Sequence, residues 1–145
     1  MKISTKGRYA IRMMIDIAKN SGGGNVSLKD VADRQGISLK YLEQIVTVLS
    51  RSGLLRSQRG AQGGYRLIRE PDKYTVGEIL RITEGSMAPV ACLEDEINIC
   101  PRAGSCSTIA LWTGLYKTIS EYLDSVTIAD LMRGSADTDI GCCDI

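Results

Sequence analysis

Residues 27–69 read SLKDVADRQGISLKYLEQIVTVLSRSGLLRSQRGAQGGYRLIR, and their punctuation decides the fold. Ser27 and Asp30 stand at capping-box spacing, Leu28, Val31 and Ala32 give the following segment one apolar side, and Gly36 ends it. Ser38 then caps a second segment in which Leu42, Ile45, Val46 and Leu49 share a face, with Gly53 as its left-handed stop. Two helices joined across Gln35-Gly36-Ile37 make a helix-turn-helix. After Gly53, Leu54–Gln58 and Tyr65–Arg69 read as short strands around Arg59-Gly60-Ala61-Gln62-Gly63-Gly64, a turn dense in residues that tolerate positive φ. The hairpin is the wing of a winged helix.

Working outward, Tyr9, Met13, Met14 and Ile17 recur at helical spacing from Lys6 to Asn20, and Gly22-Gly23-Gly24 stops that helix. Downstream, Pro71 and Asp72 break the chain. Thr75 and Glu78 open another helix whose Val76, Ile79, Leu80 and Ile82 can pack on the first three. Residues 86–106 hold two prolines, a glycine and three cysteines without periodicity, and so read as a loop; one of this length is unusual unless it has a task. Beyond it Thr108, Trp112, Leu115, Ile119, Tyr122 and Val126 alternate spacings of four and three, widened by Ile109, Leu111, Tyr116 and Leu123. That is more apolar surface than one small module covers, so the helix is expected to pair with a second copy across a two-fold axis. The competing reading folds it back on its own winged helix. Thr127 and Asp130 start a short last helix through Met132. The predicted organisation is mainly α: a winged helix-turn-helix over 1–85, a cysteine loop over 86–106, dimerisation and terminal helices over 107–133, and a disordered tail over 134–145.

The net charge of +1 conceals a split at Arg69. Residues 1–69 carry 13 Lys and Arg against 4 Asp and Glu, whereas the remainder carries 5 against 13. A basic module for a polyanion joined to an acidic module with another task is the reading. On the second helix of the helix-turn-helix, Ser38, Lys40, Tyr41, Glu43 and Gln44 are the polar residues expected to face a double-stranded DNA operator. Gln44 can pair with adenine, Glu43 can accept from a cytosine amine, and Lys40 and Tyr41 can hold phosphates. A solvated helix face is the bland alternative. Arg59 at the wing tip suits a narrow minor groove, and Gly60 beside it lets backbone approach a phosphate. No apolar stretch reaches the roughly 18 residues of a membrane span, and MKISTKGRYAIRMM lacks a signal peptide's apolar run. The expectation is a cytoplasmic chain with no membrane partner. With no histidine, no nucleotide loop and no convergent acid-base set, an enzyme with a small-molecule substrate is not expected.

Cys92-x7-Cys100-x5-Cys106 matches neither paired zinc arrangements nor a ferredoxin run. Three thiols within fifteen residues can nevertheless close around a metal at little entropic cost. A chance cluster of cysteines or a redox disulfide stays open on spacing alone. Cys142 and Cys143 read as exposed thiols of a tail.

KISTKGRYA (2–10), QGISLKYLEQIV (35–46), RGAQGGYRL (59–67), TVGEILRITEG (75–85) and the cysteine loop before ALW (110–112) together resemble the winged-helix repressor family of IscR, NsrR and CymR. The likeness runs from Met1 to about Leu131. It implies a homodimeric regulator on partly palindromic operators, with an iron-sulfur cluster of two or four irons on Cys92, Cys100 and Cys106. It also implies that the helix after Ser38 enters the major groove and Arg59 the minor groove. The chain departs from the family in three places. Ile109 stands where IscR has a histidine ligand, Arg8 stands where NsrR-like proteins have an acid, and the first two cysteines are two residues further apart than in IscR. Glu94, Asp95, Glu96, Ser105, water or an external thiol are the remaining candidates for a fourth ligand.

Overall fold

The caps read from the sequence are made in the computed structural model, which describes residues 1–134. Ser27, Ser38 and Thr75 each accept from the backbone N–H three residues on, at 3.1–3.2 Å, and so start α2 (Leu28–Gln35), α3 (Leu39–Arg51) and α4 (Val76–Glu84). α1 (Thr5–Asn20) is capped by Ser4, whose Oγ accepts from Gly7 N at 3.3 Å, and its start is bonded again from far along the chain. Glu84, the last residue of α4, accepts from Ser4 N, Ser4 Oγ and Gly7 N, which ties the beginning of α1 to the end of α4. A Cβ on Gly7 would overlap that carboxylate, so glycine is what permits the contact.

α1 lies under the helix-turn-helix and contributes Ala10, Met13, Met14 and Ile17 to a core shared with Val31, Leu42, Ile45, Leu49, Tyr74, Ile79 and Ile128. Inside this apolar setting Asp16 is buried as well. Arg34 and Gln35, at the end of α2, donate to its carboxylate at 2.6–3.2 Å, which fixes α2 against α1 through a satisfied charge.

The hairpin pairs β1 (Leu55–Gln58) with β2 (Gly64–Leu67) in antiparallel register, Leu55 opposite Leu67 and Gln58 opposite Gly64. Both strands are shorter than the sequence suggests, for a reason that lies in Tyr74. Its buried hydroxyl accepts from Ile68 N and Arg69 N at 2.9 and 2.8 Å and donates to Leu54 O at 2.9 Å, so one phenol replaces the next rung of the ladder. Val26 adds a third strand of one residue, exchanging both backbone bonds with Tyr65 at 2.9 and 2.8 Å.

Past α4, residues 86–108 are a loop with two single 3₁₀ turns, followed by α5 (Ile109–Ser125) and α6 (Ile128–Gly134). α6 returns to the core through Ile128, and Val76 N and Ile128 N bond Val126 O and Tyr74 O at 2.9 and 3.0 Å. α5 behaves differently on its two sides. Tyr116, Leu123 and Val126 pack with Val76, Leu80 and Met87, and Asp124 pairs with Arg81 of α4 through two bonds of 2.7 Å. Its other side leaves Leu111 61% and Tyr122 68% exposed, with Leu115 beside them, and no residue of α5 is buried. Folding back and an apolar side left exposed among the described residues thus coexist on one helix. The tail expected to be disordered, with Cys142 and Cys143, lies outside the described residues beyond Gly134.

Candidate nucleic-acid interface and cysteine segment

The exposed face of α3 follows from its buried one. Leu42, Ile45, Val46 and Leu49 point into the core, which turns Lys40, Glu43, Gln44 and Thr47 outward together around a shallow hollow of about 490 Å³. Ser38 sits exposed at the start of α3, accepting from Tyr41 N while its own O–H stays available to a phosphate. Tyr41 is set apart from this group. It is half-buried against the core and meets the Tyr9 ring edge-on at a centroid distance of 5.8 Å, with Arg12 stacked on the far ring at 5.2 Å. Thr47 is the residue of this face that the sequence reading passed over. Its hydroxyl donates back to Glu43 O at 2.7 Å, which spends its polarity within α3.

At the wing tip Gly63 N bonds Gly60 O at 2.9 Å, and Gly60 holds φ of +105°, a conformation that suits glycine. Arg59 beside it is exposed and makes no hydrogen bond or ion pair among the described residues. The turn is braced from outside the hairpin: Asn25 Nδ2 donates to Gln58 Oε1 at 3.0 Å and to Gln62 O at 3.1 Å. Asn25 and Val26 were also missed, because a strand of one residue after a glycine run has no periodicity to detect. Donors, a carboxylate and an exposed guanidinium on two projecting elements can read base edges and phosphates.

Cys92 lies in the 3₁₀ turn Ala91–Leu93, Cys100 follows an Asn98 side chain that accepts from its N–H at 2.9 Å, and Cys106 ends the turn Ala103–Ser105. All three are free thiols, partly accessible. Cys106 lies two residues ahead of α5's N-cap, Thr108. The Thr108 hydroxyl, 3.4 Å from the sulfur, together with the N–H groups of Thr108 and Ile109, holds the Cys106 thiol below its ordinary pKa. Glu94, Asp95, Glu96, Ile97 and Ile99 are exposed on the same segment. Among the described residues no three Cys, Asp or Glu side chains converge to hold a metal. As a donor set the three thiols suit an iron-sulfur cluster in kind; as a geometry they are not drawn together. Nor is any described helix long and apolar enough to cross a membrane.

Residues 3–134 match the model of the Rrf2 family, described as an iron-dependent transcriptional regulator. The chain is 46% identical to the HTH-type transcriptional regulator CymR of Bacillus subtilis over 90% of this chain and 89% of that protein. It is 40% identical to Protein rrf2 of Nitratidesulfovibrio vulgaris over 100% of this chain and 96% of that one. Among solved structures, IscR of T. potens superposes with a TM-score of 0.74 at 41% identity, covering 97% of this chain and 94% of that one. The family model and CymR of Bacillus subtilis are named as transcriptional regulators, not as enzymes. The chain belongs to the Rrf2 family of DNA-binding, winged-helix transcription regulators.

Proposed function

We propose that the protein is a cytoplasmic, homodimeric repressor whose operator affinity is set by an iron-sulfur cluster held by Cys92, Cys100 and Cys106. α3 offers Ser38, Lys40, Glu43 and Gln44 to the major groove with Tyr41, half-buried beside them, to hold a phosphate, and Arg59 with Gly60 enters the minor groove. Two copies join through the exposed side of α5, which carries Leu111, Leu115 and Tyr122. The observation that carries the reading is where the thiols are mounted. The cysteine segment leaves the end of α4 and enters α5, so it lies between the DNA-reading body and the helix that would join the copies. Met87, buried among Val76, Leu80, Tyr116 and Leu123, anchors the start of the segment to both helices. A change in the segment's span can therefore alter how α5 sits on α4, and with it the separation of two reading heads. When bound, the cluster would supply a labile cross-link among the three cysteines; the fourth ligand stays unassigned among Glu94, Asp95, Glu96, Ser105, water or an external thiol.

A second reading is favoured by Cys106. A thiol held below its ordinary pKa at the start of α5 is the kind that reacts with oxidants, and a disulfide to Cys92 or Cys100 would change the same span without a cluster. Anaerobic reconstitution separates the two. The cluster reading expects iron and sulfide in stoichiometric amounts, a visible absorption band, and an operator Kd that changes when the cluster is removed. Colourless protein whose three cysteines are all alkylated under those conditions would overturn it. A disulfide that appears with diamide in peptide mass spectra, with the same shift in Kd, would establish the thiol switch instead.

A further inference from the structure

We propose that Arg56 and Arg66 form a phosphate clamp on the outer face of the wing, seated on the operator backbone at the lip of the groove that Arg59 enters. The inference rests on the minor-groove reading of Arg59 and goes beyond the residues assigned to the interface above.

Arg56 and Arg66 are direct cross-strand partners in the β1–β2 register. Like charges placed directly opposite each other weaken a hairpin, and a two-stranded wing has little stability to spare. Neither guanidinium makes a hydrogen bond or ion pair among the described residues. Glu70 lines the neighbouring hollow together with both arginines and bridges to neither, while Arg69 in that hollow is engaged by Glu78 at 2.8 Å. Among the described residues no hydrogen bond or ion pair relieves the repulsion, and an external anion would do so.

Between the two arginines is a cleft of about 200 Å³ lined by Arg56, Ser57, Gln58 and Arg66, with no carboxylate in its wall. Gln58 is turned to suit an anion. Its Oε1 accepts from Asn25 Nδ2, and the orientation of Asn25 is itself fixed because the same nitrogen must donate to the Gln62 carbonyl. The free end of Gln58 is accordingly its amide N–H₂. Two guanidiniums and an amide make a donor-rich wall for phosphate oxygens.

Position along the wing selects the source of the phosphate. Arg56 stands three residues before Arg59, about 10 Å along a strand that rises roughly 3.3 Å per residue. The minor groove of B-DNA is about 7.5 Å deep. With the Arg59 end of the wing on the groove floor, Arg56 and its partner Arg66 come level with the phosphates at the rim.

The test is operator titration of the full chain across a salt series, comparing wild type with Arg56→Gln/Arg66→Gln. Loss of one clamp should reduce the slope of log K against log salt by about 0.9, hence about 1.8 for a dimer carrying two, with the same fold-loss on operator and scrambled duplex. The double variant should melt no lower than wild type, since removing the like-charge pair relieves strain. A wild-type slope retained by the double variant overturns the clamp while leaving DNA binding intact. A wild-type slope near zero on every duplex overturns both the clamp and the DNA reading. Inorganic phosphate at constant ionic strength serves as the second arm. If it raises the melting temperature of free wild type but not of the double variant, and the slopes agree, the cleft takes a small phosphate-bearing ligand and the backbone assignment fails.

Discussion

The winged body and the segment that follows it are built on opposite principles. In the body the starts of α1 to α4 have side-chain caps, the core draws residues from α1 to α4 and from α6, and the buried charge of Asp16 is fully bonded; among the described residues only the side-chain atoms Asn25 Oδ1 and Ser50 Oγ are buried without a partner. α5, one residue longer than α1, has no side-chain cap and no buried residue, and is held to its own subunit along one side. The body is held together by its own chain; among the described residues α5 is held along one side only. A surface that must rearrange cannot be welded to its support, and elements that move are drawn from the weakly held end of a structure.

Substitutions on the two sides should break this comparison if it is mistaken. Leu42→Ala removes a fully buried side chain of α3, and the cavity should cost about 3 kcal/mol, read as a lower midpoint in urea and lost operator binding at 37 °C. Leu111→Asp, on the open side of α5, should keep the native circular dichroism spectrum and convert a dimer to a monomer in sedimentation. Wild-type protein that sediments as a monomer, or a Leu111 variant that unfolds, would place α5 within the body's core. Asp16→Ala comes next in size. It strands Arg34, but that side chain is 39% exposed and can turn to water, so about 2 kcal/mol is expected, below the 3–5 of a fully buried pair.

The same division governs how much could be read without coordinates. The helices of the body were legible because each is announced locally: Ser27, Ser38 and Thr75 as caps, Gly36 and Gly53 as left-handed stops at φ +63° and +76°, and apolar residues at helical spacing between them. What the body hid was non-local. Glu84 capping α1 from the far end of α4, Tyr74 taking over the ends of both strands, and Asn25 bracing Gln58 join positions that no window of sequence brings together. The cysteine segment was visible as an irregular stretch with three thiols, yet only family likeness suggested that they are ligands. Thiol spacing carries no direction, and the segment's own turns leave the sulfurs apart.

The smallest effect tests the joint between the two regions. Arg81 donates twice to Asp124, and this pair is the charged link between α4 and α5. The Arg81 hydrogen bonds hold the Asp124 carboxyl below its ordinary pKa, so the folded state favours its ionised form. A group depressed in this way adds stability above the unfolded carboxylate range, and the contribution is lost as the pH falls below about 4 and through the lowered value. With both side chains more than one-third exposed, solvent and salt screen the pair to about 0.5 kcal/mol. Arg81→Ala should therefore speed hydrogen exchange along α5 by roughly twofold at neutral pH and leave α1–α3 unchanged. Wild type should lose its advantage over the variant in acid or in 1 M salt. Tyr116 and Leu123 still hold α5 after the pair is gone, which is why the expected change is small. Slower operator response without weaker folding would mark the joint as the route between thiols and DNA, whereas exchange rising equally in α1–α3 would show that α5 is part of the body after all.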